Sequence, residues 1–115
     1  MVKKHKIKTL GINSEISAGV MGGDVAKMAW GYIEKKGDDK THGLGHGLGM
    51  RTHDYPLPGL PVVNKKPLQE NMVLTVEPGI YLREGFGVRI EDTVVVTKAG
   101  CKNLTKANKE LTVVG

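Results

Sequence analysis

Apolar residues recur at helical spacing after the glycine-rich residues 18–23. Their alternating separations of three and one positions place several side chains on one face of an α-helix: Val25, Met28, Ala29, Tyr32 and Ile33. Trp30 falls beside this stripe and is expected at its edge. Gly37 is expected to end the helix, because glycine readily adopts the left-handed conformation that follows a helix. A weaker periodicity predicts a first helix over residues 2–16.

The second half of the chain has the pattern of β-strands. Residues 72–76 and 88–97 are rich in strand-forming residues, and residues 83–85, Arg-Glu-Gly, predict a short turn between them. Residues 98–100 predict another turn, and residues 111–114 a final strand. The proline-rich segment before the first strand is expected to be a loop, since proline cannot lie in a central strand.

The hairpin brings two carboxylates together. A turn centred on Glu84 pairs positions equally distant from it, so Glu77 is expected opposite or nearly opposite Glu91. Facing carboxylates destabilise a sheet, and a divalent cation between them reverses this effect. The alternative is a structural ion pair in which Arg89 neutralises Glu91. Both interpretations remain open from the residues alone.

Glycine occupies every second position between His42 and Met50. A helix through this run is disfavoured, so an extended segment is predicted, with bare backbone on one face that another group can approach closely. His42 and His46 would then lie about 13 Å apart. That is too far to share one metal ion without a bend, so one can be a ligand while the other has a second role.

These motifs together resemble the creatinase, aminopeptidase P and prolidase family of metallopeptidases. The similarity lies in the order, residue types and spacing of four motifs: His42-Gly43-Leu44-Gly45-His46-Gly47-Leu48-Gly49, His53, Glu77-Pro78-Gly79 and Arg89-Ile90-Glu91-Asp92. The resemblance implies an α+β fold, the C-terminal half of a pita-bread domain, with one or two helices packed on a curved, mainly antiparallel sheet. Residues 1–115 are expected to form part of one catalytic domain.

The resemblance also implies roles for individual residues. It makes three of them ligands of a divalent ion, Mn²⁺, Co²⁺ or Zn²⁺: His46, Glu77 and Glu91. It makes His42 and His53 the histidines that line the substrate site, with Arg89 supporting the ligands. The family's two aspartate ligands lie upstream of the region that this sequence matches, so one ion is expected here instead of two. The chain alone is therefore expected to have little activity.

A related branch shares part of the pattern. Methionine aminopeptidases also have a histidine seven residues after the ligand histidine, as His53 follows His46. They usually lack a histidine at the position of His42 and do not typically read Arg-Ile-Glu-Asp. The proline-specific branch is therefore favoured, and the expected substrate is a proline-containing dipeptide or a peptide N-terminus.

Composition narrows the possible partners and compartment. The net charge of +5 could suit nucleic acid, but the lysines are dispersed without interleaved aromatic residues, and no nucleic-acid or membrane partner is expected. Cys101 is the only cysteine, which fits a reducing, cytoplasmic location. A homo-oligomer or an upstream half-domain is the expected partner, because half a domain exposes apolar surface. A non-catalytic binding module and a basic nucleic-acid-binding domain are the alternative functions.

Overall fold

The computed structural model describes residues 9–35, 42–54 and 66–115. It contains two helices and five strands in this order: α1 Thr9–Asn13, α2 Gly22–Glu34, β1 Val73–Val76, β2 Gly79–Tyr81, β3 Gly87–Arg89, β4 Asp92–Thr97 and β5 Gly100–Asn103. The α+β prediction is confirmed. No helix within the described ranges has both the length and the apolar character needed to cross a bilayer.

The helices differ from the sequence expectation in extent. Helix α1 occupies only five residues of the predicted range 2–16, of which residues 2–8 lie outside the described part. Helix α2 was predicted, but it ends at Glu34 with Lys35 as its C-cap. The expected C-cap, Gly37, and the proline-rich loop also lie outside the described residues.

The buried face of α2 is rotated from the predicted one. Val25, Ala29 and Ile33 are buried as expected, but Met28 is 41% exposed and Tyr32 is 62% exposed. Their places are taken by Ala26 and Trp30, which are buried. The prediction was wrong because both stripes have helical spacing and share three residues. The side of the helix that packs against the sheet decides between them.

Strands β1, β4 and β5 form one antiparallel sheet with β4 in the middle, and β2 and β3 form a separate antiparallel ribbon. Both pairings have the predicted register around Glu84: Val76 pairs with Asp92 in the sheet, and Gly79 pairs with Arg89 in the ribbon. Between these two pairs the same register places Glu77 opposite Glu91. The predicted hairpin is confirmed, although it is divided into two parts at this point.

Two other strand predictions need correction. Residues 88–97 do not form one strand, because Ile90 and Glu91 interrupt it where the hairpin divides. Residues 111–114 form no strand and their apolar side chains are exposed. The reason is that β5, which was not predicted, follows the turn at Lys98 and Ala99 and occupies the free edge of β4. The turn itself was predicted.

The glycine-rich run follows the other edge of β1 without forming a regular strand. Backbone N–H groups of Thr75 and Glu77 donate to the carbonyl oxygens of His46 and Leu44, at 2.8 and 2.7 Å. A Cβ atom on Gly45 would lie 1.8 Å from the Thr75 carbonyl oxygen. The close approach expected at the glycine face is therefore made by the backbone of β1, and it fixes the histidine run against the sheet.

The core lies between α2 and the sheet, and its buried apolar residues come from both and from the histidine run. Cys101 packs against it as a free, partly buried cysteine. Its thiol donates to the carbonyl oxygen of Asn13 at 3.2 Å. Burial raises the pKa of this thiol, and the Asp92 carboxylate raises it further. Cys101 is thus a protonated packing residue and not a reactive thiolate.

Candidate functional site

An open cleft of about 350 Å³ lies where the histidine run meets the divided hairpin. Its lining contains five of the six residues that the sequence singled out, together with two glycines: His42, Gly43, Gly45, His46, His53, Glu77 and Arg89. The sixth, Glu91, reaches the cleft only through Arg89. Segments far apart in sequence therefore bring the candidate residues to one place.

His46 presents one ring nitrogen to the cleft. Its Nδ1 lies 2.9 Å from the Gly47 carbonyl oxygen. A carbonyl only accepts hydrogen bonds, so Nδ1 carries the hydrogen and the neutral ring leaves a lone pair on Nε2. That Nε2 lies 3.4 Å from Glu77 Oε1, and both side chains are mostly buried. Two acceptors face each other here, and a cation or a proton between them would satisfy both.

Thr75 forms hydrogen bonds with both His46 and Glu77 and so holds the two residues next to each other. Its hydroxyl oxygen accepts from the His46 backbone N–H at 2.9 Å and donates to Glu77 Oε1 at 3.0 Å. Thr75 was not predicted as a site residue. The sequence could have indicated this residue. Residues two apart in a strand share a face, so Thr75 lies on the same face as Glu77.

Arg89 lies between the two facing carboxylates. Its Nη1 is 3.6 Å from Glu77 Oε2, and its Nη2 is 3.7 Å from Glu91 Oε2. The structural ion pair that the sequence left open is therefore present, and it extends to both carboxylates. Their repulsion is neutralised without a metal ion in this arrangement.

His42 is engaged differently from His46. Its Nδ1 lies 2.6 Å from the Gly43 carbonyl oxygen, so its Nε2 accepts from the Tyr81 hydroxyl at 3.0 Å. The Trp30 ring meets the imidazole edge-on at a centroid distance of 5.8 Å. His42 thus has both nitrogens occupied, which fits a second role and not that of a ligand.

Tyr81 was missed by the sequence analysis, although the register points to it. Its partner across the ribbon is Gly87, and its ring also covers Gly79 two residues earlier. Two glycines beside one tyrosine leave room for the ring to lie flat on the ribbon, where its hydroxyl reaches His42. His53, on an exposed loop, lies with its ring 4.2 Å from that of His46.

The donors fit a divalent ion only in part. An imidazole nitrogen and a carboxylate oxygen already face each other at His46 and Glu77, and these are common ligand types for Zn²⁺ and similar ions. Within the described residues, however, no group of three or more His, Cys, Asp or Glu side chains is assembled to hold an ion. Glu91 could become the third ligand by exchanging its contact with Arg89 for the ion.

This arrangement predicts the stability of the metal-free protein. Arg89→Met is expected to lower the melting temperature, because it leaves Glu77 and Glu91 facing each other. The effect should be modest, at most about 1 kcal/mol, since Arg89 is half exposed. Adding Glu91→Gln should restore the melting temperature. Thermal denaturation in EDTA measures both variants, and an unchanged Arg89→Met melting temperature would contradict the proposed neutralisation.

Comparison with known proteins gives the family to which this fold belongs. The model of metallopeptidase family M24 matches residues 5–98, so the chain belongs to this family. The putative dipeptidase YkvY of Bacillus subtilis is 52% identical over 95 residues, which cover 81% of this chain and 26% of YkvY.

Solved structures of similar proteins also match most of this chain. The X-Pro aminopeptidase of Thermotoga maritima is 41% identical with a TM-score of 0.83, over 90% of this chain and 29% of that one. The Xaa-Pro dipeptidase of Bacillus anthracis is 38% identical with a TM-score of 0.85, over 91% and 30%. The fold is that of the C-terminal half of a pita-bread domain, as predicted. The chain spans less than a third of the length of these proteins.

Proposed function

We propose that this cleft is part of an Xaa-Pro-type metallopeptidase site and binds one divalent ion, Mn²⁺, Co²⁺ or Zn²⁺. His46, Glu77 and Glu91 are the proposed ligands. One observation carries the proposal: Nε2 of His46 faces the Glu77 carboxylate at 3.4 Å, with the Thr75 hydroxyl holding both residues. Hydrogen bonds that fix a ligand's orientation in this way are typical of metal sites.

The other cleft residues suit substrate binding. His42, held by Tyr81, and the exposed His53 both line the cleft with His46, where their imidazole rings could contact a bound peptide. Arg89 would keep a positive charge beside the carboxylates and limit their repulsion before an ion binds. A bound cation would supply a water of lowered pKa as the nucleophile.

The proposed substrate is a proline-containing dipeptide or a peptide N-terminus, with cleavage of the bond before proline. The names of several similar proteins, X-Pro aminopeptidase and Xaa-Pro dipeptidase, support this choice. We also propose a cytoplasmic location and a partner, either a second copy of this chain or an upstream half-domain. Because the described residues assemble no group of three or more metal donors, the alternative function is a non-catalytic module that retains the fold and one ion.

Titration calorimetry of the metal-free protein with Mn²⁺ or Co²⁺ tests the proposal. The expected stoichiometry is near one, and binding should be lost in His46→Ala and in Glu77→Ala. His42→Ala is the matched control, because it removes an imidazole of the same cleft that is already engaged by Tyr81. It should bind the ion with nearly unchanged affinity. Wild-type binding that survives in both ligand variants would show that the ion binds elsewhere.

A further inference from the structure

A buried polar network lies directly behind the proposed ligand Glu91. The next residue, Asp92, is fully buried. Asn13 Nδ2 donates to Asp92 Oδ2 at 3.1 Å, and Lys109 Nζ pairs with Oδ1. Helix α1, strand β4 and the C-terminal segment therefore meet at one carboxylate.

The C-terminal segment is guided to this point along β4. The Leu104 backbone N–H donates to the Thr93 carbonyl oxygen at 2.8 Å, and the Thr93 N–H donates to the Thr105 hydroxyl at 2.9 Å. Beyond these bonds, Lys109 reaches back to Asp92. Its ammonium group comes from a segment without regular secondary structure, so this ion pair is a specific attachment of that segment to the sheet.

Stability alone does not account for such a pair. Burial removes the hydration of the Asp92 carboxylate, although the Lys109 side chain remains 29% exposed, and well-packed apolar residues in place of a buried ion pair are often as stable or more so. Buried ionic groups can instead select one conformation, a role that needs support from the particular structure. Here the support is the position of the pair beside Glu91.

Glu91 needs such an anchor. Successive residues of an extended chain point to opposite sides, so Asp92 points into the interior while Glu91 points to the other side, where it meets Arg89. The Glu91 side chain is 42% exposed, and its carboxylate lies 3.7 Å from the Arg89 guanidinium. Regular pairing is also interrupted at residues 90 and 91. The direction of this carboxylate therefore depends on the backbone that Asp92 fixes.

We infer that Lys109 is a positioning residue for Glu91, and that it acts by holding Asp92 between Asn13 and the C-terminal segment. The inference rests on the proposed function, because it assigns a role in metal binding at the same cleft. It adds a residue eighteen positions beyond Glu91, in a segment that does not line the cleft.

Mn²⁺ binding by the full chain tests the inference. Lys109→Met is expected to weaken binding by the folded protein roughly tenfold, the lower end of the effect of changing groups that orient metal ligands. Lys109→Arg should retain most of the affinity, because it keeps the charge. In a Glu91→Gln background, Lys109→Met should cause no further loss, because its effect passes through the Glu91 carboxylate.

Two further variants separate positioning from folding. Lys109→Met removes a positive charge from beside the fully buried Asp92 carboxylate and can prevent folding, whereas Asp92→Asn with Lys109→Met removes both charges and keeps an acceptor for Asn13. This double variant should fold and show the same tenfold loss. Val96→Ala, on the same buried face of β4, should lower the melting temperature while leaving the Mn²⁺ affinity of the folded protein unchanged.

The outcomes distinguish the two proposals. Wild-type affinity in the double variant, or a loss that adds in full to that of Glu91→Gln, overturns the positioning role while the proposed function stands. Absence of Mn²⁺ binding by the wild-type protein overturns the proposed function and this inference with it. Weaker Mn²⁺ binding in Lys109→Met and in the double variant, with affinity retained in Lys109→Arg and in Val96→Ala, supports the inference.

Discussion

Gly45→Ala is expected to destabilise the protein by more than about 3 kcal/mol, above the usual range for overpacked cores. The added methyl carbon would lie 1.8 Å from the Thr75 carbonyl oxygen and 2.7 Å from its carbonyl carbon. These are backbone atoms of β1 and cannot move aside as a flexible side chain can. The variant must break the hydrogen bonds that join the histidine run to the sheet.

Gly43→Ala is the matched control, because no atom lies within 4 Å of the Cβ that it adds. Its stability should stay within about 0.5 kcal/mol of wild type, the usual range for surface substitutions. Thermal denaturation measures both variants. For a domain of this size, the loss in Gly45→Ala corresponds to a fall of more than about 12 °C in melting temperature. Equal melting temperatures would mean that the run does not contact β1 this closely.

The sequence predicted the register of the hairpin because register depends on local properties. A turn centred on Glu84 and two strand-forming segments determine which positions face each other, and Glu77 lies opposite Glu91 as expected. The same symmetry explains why Tyr81 could have been found, since its partner is a glycine. The equal spacing of paired positions about Glu84 does not show that the hairpin divides into two sheets at Glu77 and Glu91.

Other features depend on contacts between distant segments. The two possible stripes of α2 have equal helical spacing, and only packing against the sheet buries Trp30 and exposes Met28. The apolar residues at the C-terminus suit a strand, but β5 already occupies the edge of β4. The lone pair on His46 Nε2 depends on the approach of one carbonyl oxygen to Nδ1, which residue spacing does not encode.

The residues themselves singled out His42, His46, Glu77, Glu91 and Arg89, while the family resemblance added His53 and assigned the individual roles. The structure brings five of these six residues to one cleft. Their proposed roles have different physical support. Nε2 of His42 is hydrogen-bonded to the Tyr81 hydroxyl, whereas Nε2 of His46 faces the Glu77 carboxylate. The spacing of the two histidines predicted that they would have separate roles, but it did not predict which one would be the ligand.

The isolated chain is expected to hydrolyse Ala-Pro or Gly-Pro no faster than its His53→Ala variant, even with added Mn²⁺ or Co²⁺. The described residues present imidazoles at the cleft but no assembled group of three or more metal donors. Arg89 also occupies the space between Glu77 and Glu91. One weakly held ion would activate water poorly, since this activation depends on a fixed coordination geometry.

The assay measures release of free proline by both proteins at equal concentration. A parallel reaction adds the N-terminal portion of YkvY that precedes the matched segment, because this chain covers only 26% of that relative. Turnover should appear only in the combined reaction, and His53→Ala should reduce it, because His53 lines the cleft beside His46. Rapid turnover by the wild-type chain alone, lost in His53→Ala, would show that the ligands within this chain suffice for catalysis and that the non-catalytic alternative is wrong.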